Sequence, residues 1–152
     1  MFTIVWSKQG ILFIDMVSND CKFNSTYYIN NILQRILDLI SPSGSKAKTK
    51  ILLHCDNAKP HTAKSTLSFL SENNIKRLPH PPYSPDLAPS DFYLFGNIKR
   101  ILAGCSFGSP EELFESVSEI CQKITHDEIN RVFSNWEARL QTVISNGGNY
   151  LE

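Results

Sequence analysis

Three things are missing from this chain of 152 residues, and each absence removes a class of function. No run approaches the roughly 18–20 consecutive apolar residues that a bilayer-spanning helix needs, so no membrane role is expected. Met1–Trp6 carries no basic stretch and no small-residue cleavage site, which argues against a secretory signal. There is also no excess of charge: 15 Lys+Arg face 15 Asp+Glu, for a net charge of zero. A protein that lives on a phosphate backbone usually carries a basic surplus. The balance argues mildly against a strong stand-alone nucleic-acid binder, without excluding a catalytic domain whose DNA grip lies elsewhere in a longer protein.

Cysteine is sparse and unpaired in pattern. Cys21, Cys55, Cys105 and Cys121 form no C-x-x-C, so reduced intracellular thiols are expected. His54 and Cys55 adjoin a strand end, but no second pair at zinc spacing exists to complete a structural site. Repeats, low-complexity tracts and an internal boundary are absent too, and 41% hydrophobic with 20% charged residues is a globular composition. A single domain over residues 1–152 follows.

What is present reads as an α/β chain. Phe2–Trp6 and Ile11–Val17 are β-branched and aromatic, joined by a Ser7-Lys8-Gln9-Gly10 turn, and predict a hairpin whose second strand is covered on both faces. Ser25–Ile40 predicts a helix with a stripe of Ile29, Ile32, Leu33, Ile36, Leu37 and Ile40, stopped by Ser41–Ser45. Lys46, Lys48 and Lys50 make the following loop basic, which suits phosphate contact or simple solvation. Lys50–Asp56 reads as a buried central strand, Pro60–Asn73 as a helix and Ile75–Leu78 as a short strand. Five prolines, at 79, 81, 82, 85 and 89, make the stretch through Ser90 a stiff irregular loop. Helices follow from Asp91, from a Ser109–Glu112 capping box, and from a Thr125–Glu128 capping box. The last carries a stripe from Ile129 to Ile144 and ends at Asn146-Gly147-Gly148. Strand–helix–strand steps beside a hairpin imply one mixed sheet with helices on both faces.

Two acids stand out by position. Asp56 ends a strand, where ligand sites of open α/β sheets lie. Asp91 opens a helix, whose dipole keeps a carboxylate ionised. Together such groups suit a hard divalent cation. The plainer readings are an Asx turn at Asp56-Asn57 and an ordinary first-turn acid at Asp91. His61 and His80 equally suit surface or capping roles.

The segment His54-Cys55-Asp56-Asn57-Ala58-Lys59-Pro60-His61-Thr62-Ala63 resembles the surroundings of the second catalytic aspartate of mariner-family transposases. Leu78 through Asp91, with Pro81-Pro82-Tyr83-Ser84-Pro85-Asp86 at its centre, resembles the approach to that family's third acid. The 34 residues between Asp56 and Asp91 match the branch whose third acid is Asp. Trp6–Gly10 resembles the family's hairpin, and Phe92–Phe95, Phe107 and the closing helices continue the likeness over nearly the whole chain.

The resemblance implies an RNase H-like fold and cut-and-paste DNA transposition by carboxylates holding two Mg²⁺ or Mn²⁺ ions. It implies Asp56 and Asp91 as catalytic metal ligands. Asn57, Pro60, His61, Pro82, Tyr83, Ser84, Pro85 and Asp86 would shape the site. DNA at transposon ends is the implied partner, with a homodimer, a nuclear location and no small-molecule substrate. The family's first catalytic Asp lies on a strand before the hairpin, and its helix-turn-helix region lies earlier still. Neither is found here, so an N-terminally truncated catalytic domain, inactive alone, is expected. Asp15, on the outer hairpin strand, and Asp20, in a loop, do not replace the missing acid. The alternatives are a domesticated, non-catalytic DNA- or protein-binding module, a decayed relic, and an RNase H-like nuclease of another family.

Overall fold

The computed structural model describes residues 1–40 and 50–148. In chain order its elements are β1 (Phe2–Ser7), β2 (Gly10–Met16), α1 (residues 25–40), β3 (Ile51–Leu53), α2 (Lys59–Thr62), α3 (Lys64–Glu72), β4 (Ile75–Arg77), α4 (residues 90–101), α5 (Pro110–Gln122) and α6 (His126–Ser145). The chain forms two compact units: Met1 with Val17–Tyr83, and Phe2–Met16 with the chain from Ser84 onward. Among the described residues the expected mixed sheet is divided into two two-stranded sheets, one parallel in the first unit and one antiparallel in the second.

In the first unit, Asn24 caps α1 by accepting the Tyr27 N–H at 2.9 Å. The helix widens to a π-turn over Tyr28–Leu33 before closing as α over Gln34–Ile40. Ile32, Leu33 and Ile36 bury as the stripe requires, and Tyr28 joins them. Ile40, assigned to the same stripe, stays 40% exposed in the last turn of the helix. The expected stop at Ser41–Ser45, with Lys46 and Lys48, falls outside the described residues, and Lys50 is exposed.

The strand predicted over Lys50–Asp56 closes at Leu53 and is not buried: Leu52 is 56% exposed. Its ladder pairs Ile51 with Ile75 and Leu53 with Arg77, and Leu78 N–H donates to the Leu53 carbonyl at 2.8 Å. Among the described residues its ladder with β4 runs over three residues and ends at Leu53. The single helix predicted from Pro60 to Asn73 is instead two, parted at Ala63, whose ψ of 144° is extended. The fully buried Thr66 hydroxyl donates to the Pro60 carbonyl at 2.6 Å. That carbonyl would serve the N–H four residues on in an unbroken helix. Asn74, at φ 57°, takes the left-handed step after α3.

In the second unit, β1 and β2 pair from Phe2↔Met16 to Ser7↔Gly10 with an irregularity between Val5 and Trp6. Gly10 sits at φ 134°, which favours glycine at the turn exit. The core gathers Ile4, Leu94, Ile98, Val117, Ile120 and Cys121. Ser109 caps α5 by accepting the Glu112 N–H at 3.2 Å, but the Glu112 carboxylate takes the Gly108 N–H at 2.7 Å. The box predicted there is therefore not reciprocal. The Thr125–Glu128 box is complete. Ile129 and Val132 bury, whereas Ile144, assigned to the same stripe, is 78% exposed in the last turn.

Candidate active site

Asp56 lies three residues past β3, in a turn built by its own side chain. Asp56 Oδ1 accepts the Ala58 N–H at 3.0 Å, the Asx turn anticipated from sequence. The same oxygen contacts His61 Nδ1 at 2.6 Å, while Oδ2 takes part in neither bond. Burial alone would raise the carboxyl's pKa. The Ala58 N–H, His61 and His80 outweigh it and hold the group below its ordinary value. Asp56 is thus ionised at neutral pH, and an ionised carboxylate only accepts, so His61 carries its proton on Nδ1. The acid's side chain is 59% exposed, His61's only 16%. His61 packs against Tyr28 with ring centres 4.5 Å apart and meets Phe23 edge-on at 6.2 Å. Burial, then Cys55, pushes the Tyr28 phenol far above its usual range, so this wall is neutral.

A second set of bonds holds the main chain of the same turn. Arg77 Nη2 donates to the Asp56 carbonyl at 3.0 Å and to Asn57 Oδ1 at 2.8 Å. Asn57 Nδ2 donates in turn to the His80 carbonyl at 2.8 Å. His54 Nε2 and His80 Nδ1 lie 3.2 Å apart with the rings edge to face. Burial, then His80 and Arg77, depress the His54 pKa to about 4, so His54 is neutral near pH 7. The first unit therefore brings together Asp56, Asn57, His61 and His80, with Pro60 in the first turn of α2.

The proline loop is shared between the units. Pro82 and Tyr83 belong to the first, where Tyr83 is 93% exposed at φ 55°. A non-glycine residue in that region is strained and marks a place where loop shape is imposed. Ser84 is buried in the second unit, and Pro85–Leu87 forms a 3₁₀ turn. Two side chains of α6 hold this turn. Trp136 Nε1 donates to the Leu87 carbonyl at 2.8 Å, and Arg139 Nη1 to the Asp86 carbonyl at 3.0 Å. Arg139 also lies 4.3 Å over the Phe92 ring. Asp91 is exposed in the first turn of α4, its N–H bonded to the Ala88 carbonyl at 2.8 Å. The preceding Ser90 hydroxyl accepts Trp6 Nε1 at 3.1 Å. Among the described residues, no three His, Cys, Asp or Glu side chains cluster closely enough to hold a metal ion.

No protein-family model matches the chain. The human histone-lysine N-methyltransferase SETMAR is 34% identical to it over 148 residues, covering 90% of this chain and 21% of that protein. The mariner Mos1 transposase of Drosophila mauritiana is 29% identical over 154 residues, covering 100% of this chain and 45% of the transposase. The solved catalytic domain of Mos1 superposes with a TM-score of 0.88 at 26% identity, over 99% of this chain and 75% of that domain. In sequence and in fold the chain is similar to the mariner transposase catalytic domain. It spans less than half the length of either curated relative. The RNase H-like α/β fold implied by the motifs stands with that likeness.

Sequence reasoning on this chain missed Arg77, Tyr28 and Arg139. Arg77 falls inside the strand expected over Ile75–Leu78. Its signal was a lone guanidinium at a strand end, two residues before Pro79. Trp136 falls within the stripe expected from Ile129 to Ile144, yet its half-buried indole N–H needs a partner, which the Leu87 carbonyl supplies.

Proposed function

We propose that residues 1–152 form part of a mariner-type transposase catalytic domain in which Asp56 and Asp91 supply two of the carboxylates for metal-dependent DNA strand cleavage and transfer. The observation that carries the reading is Asp56 itself: ionised, exposed, and bonded through Oδ1 while Oδ2 accepts neither of those bonds. Oxygen donors of this kind fit hard divalent cations. The Mos1 catalytic domain has been solved with Mn and with Mg. Bound ions of this class activate the attacking oxygen and neutralise charge at phosphorus.

The chain's own residues then have defined tasks. His61 and the Ala58 N–H orient one carboxylate edge and keep it charged. Asn57 and Pro60 set the turn that presents it. Pro82, Tyr83, Ser84, Pro85 and Asp86 fix the path of the chain into Asp91. The DNA substrate is a transposon end, engaged by a dimer in the nucleus. In support of this, Mos1 has been solved as a paired-end complex with the left transposon end. No helix among the described residues is long and apolar enough to cross a membrane.

Titrating Mn²⁺ into the purified chain, followed by paramagnetic broadening in NMR spectra, tests the assignment. Asp56 and Asp91 signals should broaden first, and Asp56→Asn should remove the effect at its own position. Broadening spread evenly over the surface acids and unchanged by the substitution would overturn it.

A further inference from the structure

We infer that Arg77 is a positioning residue for Asp56, fixing the main chain of its turn and linking that turn through Asn57 to His80 at the head of the proline loop. The inference rests on the role given to Asp56 above. Three bonds carry it in series: Arg77 Nη2 to the Asp56 carbonyl at 3.0 Å, the same nitrogen to Asn57 Oδ1 at 2.8 Å, and Asn57 Nδ2 to the His80 carbonyl at 2.8 Å. The parallel ladder sets Arg77 opposite Leu53, so the guanidinium starts at the strand end from which the Asp56 turn departs.

The side chain and the main chain of Asp56 are thereby held by different groups. His61 and Ala58 bond the carboxylate; Arg77 bonds the carbonyl behind it. Arg77 bonds the main chain of Asp56 and not its carboxylate, so it acts through geometry. A planar guanidinium nitrogen with two hydrogens serves two acceptors at once in a fixed relation, which a flexible ammonium does less well. Residues that orient a metal ligand from behind typically change metal affinity by about 10–100-fold when removed.

The test uses the full chain and two readouts. Without metal, Arg77→Met keeps the aliphatic stem and removes the donors. The Asn57 side-chain amide signals should then shift and exchange faster, with α3 amides unchanged. With Mn²⁺, affinity at Asp56 should fall about tenfold. Arg77→Lys should recover part of the loss, and Asn57→Ala, which leaves β4 intact, should weaken the same site. The Arg77→Met, Asn57→Ala pair should lose no more than the larger single loss, because both break one chain of bonds. Unchanged Mn²⁺ affinity in both single variants would overturn the inference, as would fully additive losses. If Arg77→Met unfolds, Asn57→Ala and Arg77→Lys carry the decision. If the unsubstituted chain binds no Mn²⁺ at Asp56, the proposed function fails, while the metal-free Asn57 signals still decide whether Arg77 holds the turn.

Discussion

Arg139 offers the sharpest energetic test of how the approach to Asp91 is held. Replacing it by Met keeps the apolar stem of the side chain but removes the bond to the Asp86 carbonyl and the cation over Phe92. A hydrogen bond from a charged donor contributes about 1.5–3 kcal/mol. A cation over an aromatic face adds about 0.5–1 kcal/mol where water still reaches it. Freeing the side chain returns about 1–2 kcal/mol of rotamer entropy. Arg139 Nε is buried without a hydrogen-bond partner, which favours the lower half of the range. The net loss expected for Arg139→Met is about 1–2 kcal/mol. Both tryptophans of the chain, Trp6 and Trp136, lie in the second unit, so urea unfolding followed by indole fluorescence reports that unit alone. A double-mutant cycle with Phe92→Leu should return a coupling of about 0.5–1 kcal/mol. A variant as stable as the parent would refute the claim that Arg139 fastens the loop, and purely additive losses would remove the Phe92 contact from it.

Three further outcomes are expected. Thr125→Ala breaks the complete capping box of α6 and should cost about 1 kcal/mol in the same fluorescence assay. The first unit should lose stability as pH falls from about 6.5 towards about 4. His54 is depressed to about 4 when folded, so the unfolded chain binds the extra proton across that window. Amide exchange of Ile32 and Leu33, corrected for intrinsic rates, measures this, and His54→Gln should flatten the dependence. Finally, the purified chain with Mn²⁺ and transposon-end DNA should nick no more than its Asp56→Ala control, because the proposed function assigns residues 1–152 two of the carboxylates that the chemistry uses. Asp56-dependent nicking by the chain alone would contradict that reading.

The sequence was most informative where short-range chemistry decides structure. The hairpin turn, the cap at Thr125, the helix over residues 25–40 and the turn at Asp56-Asn57 depend on neighbours within a few positions, and all four are found. Local patterns did not suffice where a second partner competes with the expected one. Thr66 reaching Pro60 parts a helix that propensity alone would run through Ala63. Glu112 prefers the Gly108 N–H to the cap's own, which a box pattern does not reveal. β3 is short and half exposed because ladder partners, not apolar residues, set strand length. At the candidate site, the family resemblance pointed to Asp56, Asn57, Pro60 and His61. It was silent on Arg77 and Arg139, which act on backbone carbonyls 21 and 53 residues away and leave no local pattern.

The most direct test of the central claim exchanges the matching segment of the Mos1 transposase for this chain and assays cleavage of transposon-end DNA with Mn²⁺. The account predicts a folded chimera that cuts, and loss of cutting to background on either Asp56→Asn or Asp91→Asn. Cutting that persists undiminished in those variants would contradict the assignment of the two acids.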